Sequence, residues 1–86
     1  MRLPIIRHIS NFITENDEDY VIEAIETLEH LTESSNIKDE ELDVIGELLS
    51  NMYGAIDVNK MMLDENISQR DAANKFMKRV MGSIDN

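Results

Sequence analysis

Proline occurs once, at Pro4, and the longest stretch without a break signal runs from Asp39 to Leu63. Within it Leu42, Ile45, Leu49, Met52, Ile56 and Leu63 recur on a three-to-four spacing, with Asn59 as the one polar member of the row. That period belongs to one face of an α-helix. Such a helix would be about 37 Å long, which is long for a chain of 86 residues. No alternating apolar run bounded by turn residues is present, so strands are not expected. A helix of this length carries more apolar surface than three short neighbours cover. The architecture expected is all-α: a single domain, residues 1–86, built as a bundle of four helices around this central one, and dimeric.

The other helices follow from their caps and faces. Helix 1 starts near Pro4, whose missing N–H suits a first turn, and gathers Ile5, Ile6, Ile9, Phe12 and Ile13. Asn16 or Asp17 caps helix 2, with Glu18 and Asp19 in its first turn and Val21, Ala24, Ile25, Leu28 and Leu31 on its apolar face. Ser34, Ser35 and Asn36 break the chain again. The long helix begins near Asp39, with either Lys38 as cap inside an Ile37–Leu42 staple or Asn36 paired with Asp39. Asp64, Glu65 and Asn66 end it. Ser68 and Asp71 make a capping-box variant, with Ile67 and Ala72 as a weak staple. Helix 4 then carries Ala73, Phe76, Met77, Val80 and Ile84, with Gly82 as its expected stop and a frayed tail from Ser83 to Asn86.

Composition limits what the chain does. Apolar residues make up 42%, enough for a small core. A core of this size supplies only about 3–5 kcal/mol, and the usual supplements are disulfides, metals or association. There are no cysteines, which leaves association as the leading supplement. The net charge of −10 is unevenly spread. Glu15 to Glu47 hold thirteen acids and one base, Lys38, whereas Arg70, Lys75, Lys78 and Arg79 make the last helix locally basic. This balance disfavours nucleic acid and anionic membranes as partners. The apolar opening is cut by Arg7, His8 and Ser10 below signal length, and cytoplasmic residence is expected. Asn66-Ile67-Ser68 fits a glycosylation acceptor but has no export signal to go with it.

Sites of known chemistry do not assemble. His8 and His30 are the only histidines, and Thr27 stands where a Glu-x-x-His motif needs its glutamate. Asp64, Asn66 and Ser68 resemble the start of a calcium loop, but Gln69 and Lys75 occupy the positions that require glycine and glutamate. No nucleophile–base pair, phosphate-cradling loop or redox thiol is present, so neither an enzyme nor a bound cofactor is expected. The acidic faces are either solvated or a surface for cations or a basic partner. Gly46, Ser50 and Gly54 form a row of small residues one turn apart, which either admits a second helix closely or merely softens this one. Met61, Met62, Met77 and Met81 serve as core fillers or as an adaptable interface. Tyr20 and Tyr53 read as packing residues with polar tips. The expected interface comprises Gly46, Ser50, Met52, Tyr53, Gly54, Met61, Met62, Phe76, Met77 and Met81.

Several stretches carry a resemblance. They are Leu3-Pro4-Ile5-Ile6, Glu26 to Glu33, Asp39 to Ala55 and Phe76 to Asp85. Together they resemble an uncharacterised family of short acidic all-helical proteins from Bacteroidota-type bacteria. The resemblance implies no activity and no catalytic residues. It implies genes that lie near peroxiredoxin-like and thioredoxin-like genes, and a chain without cysteine would then be an accessory to that chemistry. The function expected is therefore a non-enzymatic helical interaction or accessory module, acting through homodimerisation or a protein partner, with cation or small-ligand binding on the acidic faces as the alternative.

Overall fold

The computed structural model describes residues 1–85, and the side chains of residues 1–81. Four helices follow one another: α1 (Leu3–Glu15), α2 (Glu18–Leu31), α3 (Asp39–Glu65) and α4 (Gln69–Asp85). The chain is all-α, and no strand occurs among the described residues. The caps obey local chemistry. The Asp17 carboxylate accepts from the Asp19 N–H at 3.0 Å and starts α2. At α3 the Glu41 carboxylate accepts from the Lys38 N–H at 2.9 Å. Lysine has no acceptor to return, so only this half of a capping box forms. Asn66 ends α3 in the left-handed conformation, with φ 53°. The Ser68 hydroxyl then receives the Asp71 N–H at 3.1 Å at the start of α4. Gly82 does not stop α4, which continues to Asp85. A glycine inside a helix costs about 1 kcal/mol but does not forbid the next turn. The side chain of Ile84, and Asn86 altogether, lie outside the described residues.

α3 is the axis of the molecule and packs against the other three helices. α1 runs parallel to it. Asn51 of α3 is buried and accepts the Arg2 N–H at 2.8 Å, while its own amide N–H donates to the Glu47 carbonyl at 3.0 Å. Two turns further on, the buried Asn59 side chain accepts from the Ser10 hydroxyl and donates to the Thr14 hydroxyl at 3.2 Å. Between these two asparagines Ile6 lies fully buried beside Gly54. α2 returns along α3, with the Tyr53 hydroxyl donating to the Glu29 carboxylate at 2.6 Å. α4 starts beside α1, where the Gln69 amide donates to Asn11 at 2.7 Å and to the Arg7 carbonyl at 3.3 Å. It then meets α3 through Phe76, against Gly54, and through the Lys75–Glu65 ion pair.

The core is small: Ile6, Ile13, Val21, Ile25, Ala55, Val58, Ala72, Ala73 and Phe76. No buried side-chain nitrogen or oxygen among the described residues lacks a partner. The molecule is flat, with extents of 43 × 36 × 18 Å, so its thinnest dimension is about two layers of helix. Its radius of gyration is 13.9 Å. A compact domain of this length would have about 12 Å. Its accessible surface is 6166 Å². A monomer of this mass ordinarily shows about 5200 Å².

The face that α3 buries differs from the one its large apolar residues mark. The buried positions are Asn51, Gly54, Ala55, Val58 and Asn59. Leu42, Ile45, Leu49, Met52 and Ile56 are only half-buried, and Leu63 is 82% exposed. Small side chains and hydrogen-bonded amides let α1 and α4 approach closely, and that close contact sets the rotation of the helix. Phe12 and Leu31, expected in the core, are also exposed. Phe12 instead meets the ring of Tyr20 edge-on, at 5.8 Å between centroids.

Candidate interaction surface

The buried face of α3 continues past its neighbours. Val44, Leu48, Asn51, Ala55, Val58 and Met62 are spaced by three or four residues and lie along one line of the helix. From Asn51 onward this line is covered. α1 begins level with Glu47 and Asn51, because the Met1 ammonium binds the Glu47 carboxylate at 2.7 Å and Arg2 binds Asn51. Everything before that level, Asp39 to Gly46, extends beyond the start of α1 by about 12 Å. Val44 is accordingly 60% exposed and Leu48 40% exposed, although both sit on the line that builds the core one turn later. Met1 and Leu31 are exposed too, at the start of α1 and the end of α2.

The rim of this overhang is acidic. Glu40, Glu41 and Glu47 each stand three or four residues from Val44, one helical turn away, and all three are exposed. Glu41 is used for the cap, and Glu47 holds the N-terminus. The ammonium's hydrogen bond, more than any other cause, lowers the Glu47 carboxyl below its ordinary 4.5. Further along the helix, the hydrogen bond to Glu29 raises the Tyr53 phenol above its ordinary value of 10.0.

The expected interface residues divide. Gly54 and Phe76 are buried inside the chain's own core, where an added Cβ at Gly54 would stand 3.0 Å from Ile6 Cδ1 and 3.3 Å from Phe76 Cε2. The small residue at this position admits α1 and α4 of the same chain. Gly46, by contrast, is exposed and meets nothing within 4 Å. Met52, Met61, Met62 and Met77 are half-buried and packed against the core, and Ser50 is half-buried as well. Tyr53 is exposed, and Met81 is 58% exposed. Val44 and Leu48 are not among the residues expected at the interface. Their signal was the continuation, four residues at a time, of the line through Asn51 and Ala55.

The other candidate features hold no assembled chemistry. His30 stands 3.6 Å from Glu33 on an exposed helix end, and His8 is exposed. Among the described residues no three histidine or acidic side chains converge as a cation site requires. A groove of about 320 Å³ between α3 and α4 is lined by Met61, Glu65, Lys75, Lys78 and Arg79, where Lys75 is already paired with Glu65. A second groove, of about 410 Å³, lies between the α1–α2 turn and the end of α3, next to Leu63. Among the described residues, no helix is long and apolar enough to cross a membrane.

The chain belongs to a family of unknown function, DUF6952, whose model matches residues 1–85. The match spans the residues of all four helices, the start of α3 among them. No curated protein and no solved structure matches the chain.

Proposed function

We propose that the protein is a non-enzymatic, cytoplasmic helical interaction module, which works by receiving another helix on the uncovered first half of α3. One observation carries this reading: the core line of α3 continues through Val44 and Leu48 after its own covering helix has ended. Exposed single apolar residues are ordinary. An exposed continuation of a core line, at helix-packing spacing, has the form of a helix-receiving surface. The resemblance to short acidic helical proteins adds thiol-redox enzymes as a class of partner, for which a cysteine-free chain would serve as an accessory. The cation-binding alternative would have to use the acidic faces, where among the described residues no three histidine or acidic side chains converge.

The reading is tested with a photo-crosslinking side chain placed at Leu48 in the native cells, and the same probe at the exposed Asp57 as control. Position 48 is expected to capture one discrete protein, either a second copy or another chain. Capture at 48 no stronger than at 57 would overturn the module.

A further inference from the structure

Resting on that reading, we infer that the occupant of the overhang is α4 of a second copy of this chain. The two surfaces match in spacing and in charge. On α3, Val44 and Leu48 are four residues apart and rimmed by Glu40, Glu41 and Glu47. On α4, the exposed Met81 lies four residues from Met77, which is half-buried against the chain's own core, and Lys78 is one turn from Met81. Arg70, Asn74 and Lys78, spaced by four, continue this face towards the start of α4, and all three are exposed. Neither Arg70 nor Lys78 forms an ion pair among the described residues, so both charges are available to an acidic rim. Two apolar anchors at helical spacing, one set edged by acids and the other by bases, complement each other between copies. Within one chain the same pairing is not made, because Phe76 holds α4 against Gly54, about two turns along α3 from the midpoint of Val44 and Leu48.

The exchange is reciprocal in a twofold dimer, with each copy offering one α3 overhang and receiving one α4. Each overhang is then incomplete without the other copy. Charge selects the pairing as well. Two overhangs face to face would oppose Glu40 and Glu41 to themselves, whereas overhang against α4 sets those acids against Lys78 and Arg70.

Sedimentation equilibrium of the full chain at micromolar concentration tests the assignment. The wild type is expected to be a dimer. Leu48→Asp on one surface and Met81→Asp on the other are each expected to weaken dimerisation about tenfold or more, as a charge in an apolar contact does. Thermal melts read by circular dichroism should keep a folded helical signal, since Leu48 and Met81 are 40% and 58% exposed in the single chain and neither belongs to its buried core. Lys78→Glu should weaken the dimer, and Glu40→Lys with Lys78→Glu together should restore part of it. A folded wild type that stays monomeric would overturn this assignment, as would a dimer indifferent to both aspartate variants. The module reading fails separately: if position 48 captures a different protein while the chain is monomeric, only the second-copy occupant is lost.

Discussion

Gly46 and Gly54 lie two turns apart on the same helix, and their surroundings are opposites. Around Gly54, α1 and α4 come so near that an added carbon would press on Ile6 and Phe76. Around Gly46 there is open space. The second half of α3 is thus held between its own neighbours, while the first half keeps the same kind of apolar line and leaves it bare. The difference is one of length. α1 begins level with Glu47, and α3 begins at Asp39. A helix's core-facing line need not end where the core ends, and the part left over is a surface with a ready-made geometry.

The contrast breaks most decisively through large-to-small changes. Phe76→Ala should destabilise the chain by about 3–5 kcal/mol, as loss of a buried aromatic does. Val44→Ala, on the bare half, should cost under about 0.5 kcal/mol in the monomer. Urea midpoints measured at a concentration below association would compare them, and equal costs would dissolve the distinction between the halves. The glycines give the next largest effect. Gly54→Leu must displace Ile6 and Phe76 and should cost at least about 1–3 kcal/mol. Gly46→Ala fills open space in a helix and should stabilise by about 0.5–1 kcal/mol. Thermal unfolding of the pair should therefore move in opposite directions. The smallest effect sharpens where the boundary lies. Glu47 sits at the level where covering begins, and its carboxyl is lowered in the fold. Whatever stability the Met1–Glu47 pair contributes is complete above the ordinary value of 4.5 and falls away as pH drops through the lowered folded value. Glu47→Gln should flatten that part of the acid profile, read as the denaturation midpoint against pH.

Much of the fold was legible in the residues. Break signals at Asn16-Asp17, Ser34 to Asn36 and Asp64 to Asn66 placed the four helices, because capping chemistry is local. The rotation of α3 was not legible from its large apolar residues. Leu42, Ile45, Leu49 and Leu63 suggested one face, and the helix turned another inward. Close approach is governed by small side chains and by amides that find partners. Such positions look polar or featureless until the partner strand of chain is known: Asn51 needs Arg2, and Asn59 needs Ser10. The small row Gly46, Ser50 and Gly54 was therefore divided by the structure, with its last member inside the core and its first in solvent. The overhang escaped the sequence because it depends on where α1 begins against α3, a long-range register that the periodicity of either helix does not contain.

The two asparagines also bear on the order in which the molecule can be made. The partners of Arg2 and Ser10 lie 49 residues downstream, at Asn51 and Asn59. Ile6 needs Phe76 beside it as well. During synthesis α1 emerges before its partners in α3 and α4, and until they follow it has only α2 to pack on. Its apolar face must wait in water, or on a chaperone, while α2 and α3 are built. α4 closes a core begun by α1.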